Sequence, residues 1–210
     1  GVMLRSLLAM YLVVPLLALS AVKLLQLPTG LELALVVLAI SAGAPMLPRK
    51  LMRLGNEEYV ISLVIVSSLL AIVTVPAWLL LLGPHFDRLE ALDPATVAGV
   101  LGKSFLLPML LGIAVRWFLP DASARLSDML LKFVGVVFSA CALLLLATHW
   151  QVVGAILGPP ILALGGFPLA ALGVGHLMGG PDPHDRTALA VTCATRHVGV
   201  AMVIAAATPG

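Results

Sequence analysis

The chain has 210 residues, 61% of them hydrophobic and only 10% charged, with a net charge of +2. Soluble domains carry about 25% charged residues, so this composition excludes a soluble globular fold, a disordered chain and a nucleic-acid binder. Cys141 and Cys193 both lie in apolar runs and form no disulfide framework. The chain reads as an all-α integral membrane protein.

A helix crossing a hydrocarbon layer about 30 Å thick needs roughly 20 mainly apolar residues. Seven segments qualify, at about 4–26, 31–48, 57–83, 96–118, 130–150, 153–178 and 187–209. None alternates with period two, so the spans are helices and not barrel strands. The first has Arg5 ahead of an apolar core but no small-residue cleavage site, and reads as a true span. No Asp, Glu, Lys or Arg occurs between Phe133 and Pro181; Thr148, His149, Trp150 and Gln151 divide that stretch with a polar turn. With the N-terminus inside, Arg5, Arg49, Lys50, Arg53, Arg116, Arg125, Lys132 and Arg186 share the inner side, and Lys23, Arg88 and Lys103 the outer. This bias predicts a cytoplasmic start in a bacterial-type inner membrane. The cluster Arg49, Lys50 and Arg53 is most simply the positive-inside anchor and also suits anionic lipid headgroups, and membrane lipids are expected partners.

Most spans are ordinary. Ser62, Ser67, Ser68 and Ser139 are single small polar residues suited to helix packing, and Pro15, Pro76, Pro108 and Pro168 read as tolerated kinks. Two spans differ. The second ends in Ser41-Ala42-Gly43-Ala44-Pro45-Met46-Leu47-Pro48, where Gly43 and Pro45 break the helix. The last carries Thr192-Cys193-Ala194-Thr195-Arg196-His197-Val198-Gly199 at its middle. An arginine there costs about 2.5–3.5 kcal/mol on insertion scales. The ten residues from Arg186 to Arg196 span about 15 Å of helix, half the membrane, which places Arg196 too deep to snorkel. Two interrupted spans in different halves point to a transporter site at the midplane, where half-helix ends offer unpaired N–H and C=O groups.

These residues carry a resemblance. Gly55-Asn56-Glu57-Glu58 with the Ser-containing run to Pro76, Asp185-Arg186-Thr187-Ala188, and Arg196-His197-Val198-Gly199-Val200-Ala201 resemble segments of the bile acid:sodium symporter family. The resemblance implies a ten-helix fold of two inverted repeats, with two broken crossover helices, of which this chain would match helices three to nine; a fragment lacking the first two and the tenth is expected. It implies transport of a small organic anion, no enzymatic activity and no cofactor, and self-association or contact with the missing helices. Aligned on that pattern, the family's sodium-ligand positions fall on Met46, Leu47, Val60, Val64 and Thr192, and its crossover Gln-Asn pair on Arg196-His197. The architecture is therefore expected without sodium coupling. Ser41, Gly43, Pro45, Thr192, Thr195, Arg196 and His197 are the expected substrate site, with Arg196 as a fixed positive charge and no metal.

Other readings compete. A seven-helix receptor would need neither break. An intramembrane metallohydrolase would draw on Asp182, His184, Asp185 and His176, but their spacing matches no ligand motif. Asp185 is instead expected to cap the last helix, with Asp182 an acid near its positive end.

Overall fold

The computed structural model describes residues 1–41, 56–86, 89, 93–148, 150–151, 159–196, 201 and 204. Every regular element among them is helical. In chain order these are α1 (Val2–Leu25), α2 (Thr29–Ile40), α3 (Glu57–Leu82), α4 (Pro94–Phe118), α5 (Pro120–Thr148), α6 (Pro159–Met178) and α7 (Pro183–Ala194). A short 3₁₀ turn at Gly83–His85 follows α3.

Among the described residues five helices are long and apolar enough to cross a membrane, where the sequence predicts seven spans. The difference lies in the two interrupted segments. Among the described residues each is a helix of 12 residues, about 18 Å long, and too short to cross alone. The chain then turns extended, at Ser41 (ψ 150°) and at Thr195 (ψ 108°). The span expected at 130–150 also differs, because α5 begins ten residues earlier at Pro120. Asp121, Arg125 and Asp128 fall between expected spans in the sequence, and Lys132 near the start of the second of them. In the structure they recur at helical spacing on an exposed face, so their charges are no obstacle to helix formation.

Helix starts follow side-chain chemistry. The Asn56 side chain accepts from the Glu58 N–H at 3.1 Å and starts α3, and Asp93 accepts from the Thr96 N–H at 2.9 Å and starts α4. At α7 the cap is Asp182, which accepts from the His184 N–H at 2.8 Å, and not Asp185. Pro183 decides this. Its fixed φ suits the first helical position, so the helix opens one residue after Asp182 and Asp185 falls inside the first turn.

The described residues divide into two compact units, Gly1–Lys103 with Pro159–Gly210, and Ser104–Gly158. In the first, Met10, Val14, Ile40, Leu63, Leu101 and Leu189 are fully enclosed. The pair α6–α7 is drawn together by glycine. A Cβ on Gly175 would stand 2.5 Å from the Ala190 Cα, and one on Gly179 2.5 Å from the Arg186 Cα. These two positions, four apart, form a small-xxx-small face that lets the backbones meet. The connection passes through Gly180 at φ 87°, a left-handed conformation natural to glycine, and the Arg186 Nε–H donates to the Gly180 carbonyl at 2.6 Å.

The second unit contains the end of α4 and all of α5. Leu107, Leu110, Leu130, Leu143 and Leu144 are at least half exposed there, and Trp117 stacks on Phe118 with ring centroids 5.9 Å apart. In water such a surface would be a large unfavourable patch, whereas facing lipid it loses nothing.

Helix α1 contains one irregularity. Ala9–Val13 form a π-helical turn, in which the Val14 N–H reaches past Met10 to the Ala9 carbonyl. Wide turns of this kind arise where an ordinary i→i−4 bond cannot form.

Candidate functional site

The described residues of the expected site meet where α2 and α7 end. Arg196 follows α7 by two residues and is 5% exposed. Its Nη1 donates to the Ser41 carbonyl at 3.1 Å, at the C-terminus of α2, and its Nη2 donates to the Met10 carbonyl at 2.9 Å, in the π-turn of α1. Both partners suit a cation. The Ser41 carbonyl lies at the negative end of the α2 dipole, and the Met10 carbonyl has lost its helical donor to the widened turn. The arginine thus ties together three parts of the chain far apart in sequence. Its Nε is buried with no hydrogen-bond partner among the described residues.

Three hydroxyls accompany it. Ser41 donates to the Leu38 carbonyl at 2.6 Å, Thr192 to Ala188 at 2.7 Å and Thr195 to Val191 at 2.7 Å. Each proton is engaged by the hydroxyl's own helix, which leaves these oxygens as acceptors. Among Ser41, Thr192, Thr195 and Arg196, the donors left over for an anion therefore belong to the guanidinium. Thr192 is buried and Thr195 exposed. Gly43, Pro45, Met46, Leu47 and His197, which the sequence adds to the site or to its sodium positions, lie outside the described residues.

Val60 and Val64 occupy an apolar contact. Val60 is 1% exposed and packs with Ala188 of α7, with Tyr59, Val64 and Val191 around the pair. Neither valine side chain offers an oxygen to a cation. Beside them the Tyr59 and Ser6 hydroxyls share a hydrogen bond of 2.6 Å, tying α3 to α1.

Sequence reasoning missed the Met10 carbonyl, Tyr11 and Trp78. The Tyr11 hydroxyl donates to the Ser67 carbonyl, and the Trp78 Nε1–H donates to the Tyr11 carbonyl at 2.9 Å. The available signal was Pro15, since a proline within a span leaves upstream carbonyls without donors. Which side chains take those carbonyls depends on tertiary packing.

The all-helical architecture and the apolar spans agree with a profile of known transporters. The model of the Sodium Bile acid symporter family matches residues 1–155. The chain belongs to this family. The match covers α1 to α5, and α6, α7 and Arg196 lie beyond it. No curated protein matches the chain. As a family member it is an integral membrane protein of a transporter family.

Proposed function

We propose that the chain carries a small organic anion across a bacterial inner membrane by alternating access, with its N-terminus cytoplasmic and without sodium coupling. The anion binds where the interrupted helices meet, within a ten-helix inverted-repeat fold of which α1 to α7 and the segments around them form part. The supporting observation is Arg196, a guanidinium 5% exposed between the carbonyls of Met10 and Ser41, its Nε without a partner among the described residues. Carbonyl partners stabilise this cation without cancelling its charge, so it retains the capacity to pair with a carboxylate or sulfonate. Because the guanidinium is buried, the anion gains access as the protein opens around it, which is what an alternating-access cycle supplies. The apolar contact at Val60 and Val64 supports independence from sodium.

Binding of labelled small aromatic carboxylates and sulfonates to Arg196→Lys and Arg196→Gln tests the reading. Lysine keeps the charge and loses the fork, so weak binding should survive. Glutamine removes the charge, and affinity should fall about ten- to hundredfold, the equivalent of about 1.5–3 kcal/mol for a charged hydrogen bond. Both variants should melt lower, since both give up a carbonyl contact. Unchanged affinity in Arg196→Gln would restrict Arg196 to a structural role and end the proposal.

A further inference from the structure

The π-turn in α1 and the burial of Arg196 have one origin. In a regular α-helix the Val14 N–H would bond to the Met10 carbonyl, and the N–H of residue 15 to the Tyr11 carbonyl. Residue 15 is proline. It has no N–H to give, and its ring crowds the carbonyl four residues earlier, which is that of Tyr11. The turn before it widens, and the Val14 N–H moves to Ala9. Met10 and Tyr11 are thereby left with carbonyls that α1 does not satisfy in this way, at a depth where water cannot substitute.

Two side chains from elsewhere in the chain take them. The Arg196 Nη2 donates to Met10 and the Trp78 Nε1 donates to Tyr11, both at 2.9 Å. Met10 and Pro15 are themselves buried, so this contact is sealed within the first unit. We infer that Pro15 is a positioning residue for Arg196, acting through the π-turn: the ring widens the helix, and the carbonyl released by the widening holds the guanidinium. The functional weight of Pro15 rests on Arg196 belonging to the transport site, whereas the coupling between the two residues does not.

A chain-intrinsic reporter separates the two questions. Cys193 is fully buried in the last turn of α7, three residues before Arg196, and Cys141 is exposed. In a Cys141→Ser background, Cys193 is the remaining thiol, and its labelling rate with a maleimide measures opening of the α7 end. Pro15→Ala restores an N–H, lets the turn close to α geometry and takes the Met10 carbonyl from Arg196. Labelling should accelerate about tenfold or more, the expected loss for a charged hydrogen bond, while the melting temperature stays close to that of the background. Arg196→Gln should accelerate labelling as well, and the double variant should label no faster than Arg196→Gln alone, because both changes remove the same contact. Trp78→Phe strips the Tyr11 carbonyl and leaves Met10 alone, so its labelling should stay near background. If Pro15→Ala gives little folded protein, Pro15→Ser carries the same N–H and repeats the comparison. Unaltered labelling in the folded proline variant, or rates that multiply in the double variant, would overturn the inference. Anion affinity enters none of these readouts, so the coupling can fail while Arg196 still binds anions, and the converse.

Discussion

Replacing Gly175 with alanine tests how the α6–α7 pair delivers Arg196 to its partners. The new methyl would lie 2.5 Å from the Ala190 Cα, 2.6 Å from the Leu189 carbonyl oxygen and 2.7 Å from the Ala190 nitrogen. All three are backbone atoms, so no side chain can swing away. Ordinary contact begins near 3.4 Å, and relief requires α7 to retreat by about 0.9 Å. The guanidinium bonds stand at 3.1 and 2.9 Å and have little room before the distance at which hydrogen bonding ceases, about 3.5 Å. Overpacking costs about 1–3 kcal/mol, and loss of one charged hydrogen bond adds about 1.5–3 kcal/mol. The expected destabilisation is therefore about 2.5–6 kcal/mol. Gly173, one half-turn away on the same helix, supplies the control, because a Cβ there meets nothing within 4 Å. Gly173→Ala should be neutral or stabilising by up to about 1 kcal/mol through helix propensity. Thermal melts in detergent compare the two, with anion binding measured alongside. A Gly175→Ala protein melting at or above Gly173→Ala would refute the close approach and its role in seating Arg196.

Further expectations follow from the caps and the proposed ion independence. Asp182→Ala should cost about 1 kcal/mol by removing the cap of α7, whereas Asp185→Ala should not cost a cap; equal losses in thermal melts would return the capping role to Asp185. The Asp93 carboxyl is held below the usual carboxylate range because it accepts hydrogen bonds from the Thr96 hydroxyl and from the N–H groups of Thr96 and Ala95. With a folded value below the unfolded one, the stability it confers is complete above the unfolded value and is lost as pH falls through the folded value. The stability gap between wild type and Asp93→Ala should narrow over that acidic window, and a gap independent of pH would contradict the cap. Uptake into vesicles and melting temperature should match in sodium and choline buffers, while a saturable stabilisation by sodium alone would require oxygen ligands that Val60 and Val64 do not provide.

The sequence was most informative where apolar runs were long and clean. The segment 57–83 and helix Glu57–Leu82 agree closely because Asn56 is a strong cap and no charge interrupts the run behind it. Hydropathy underestimated α5, since an exposed helical face carries Asp121, Arg125, Asp128 and Lys132 without leaving the helix. That α2 stops short of a full span was legible from the Gly43 and Pro45 that follow it. What supports Arg196 was not legible. Its partners are two backbone carbonyls, which no side-chain pattern reveals. The spent hydroxyl protons of Ser41, Thr192 and Thr195 were hidden for the same reason, because a threonine in a helix can donate inward or outward and the residue type does not say which.

The bond between Trp78 and the Tyr11 carbonyl gives the protein an optical handle. Of the three tryptophans, Trp117 and Trp150 are 82% and 70% exposed, open to lipid-borne quenchers. Trp78 is partly enclosed, with its indole N–H fixed to the π-turn. Changing Trp117 and Trp150 to phenylalanine leaves a single tryptophan beside the π-turn of α1. Its emission wavelength and quenching then follow the state of that turn in real time, in intact bilayers and without an attached dye.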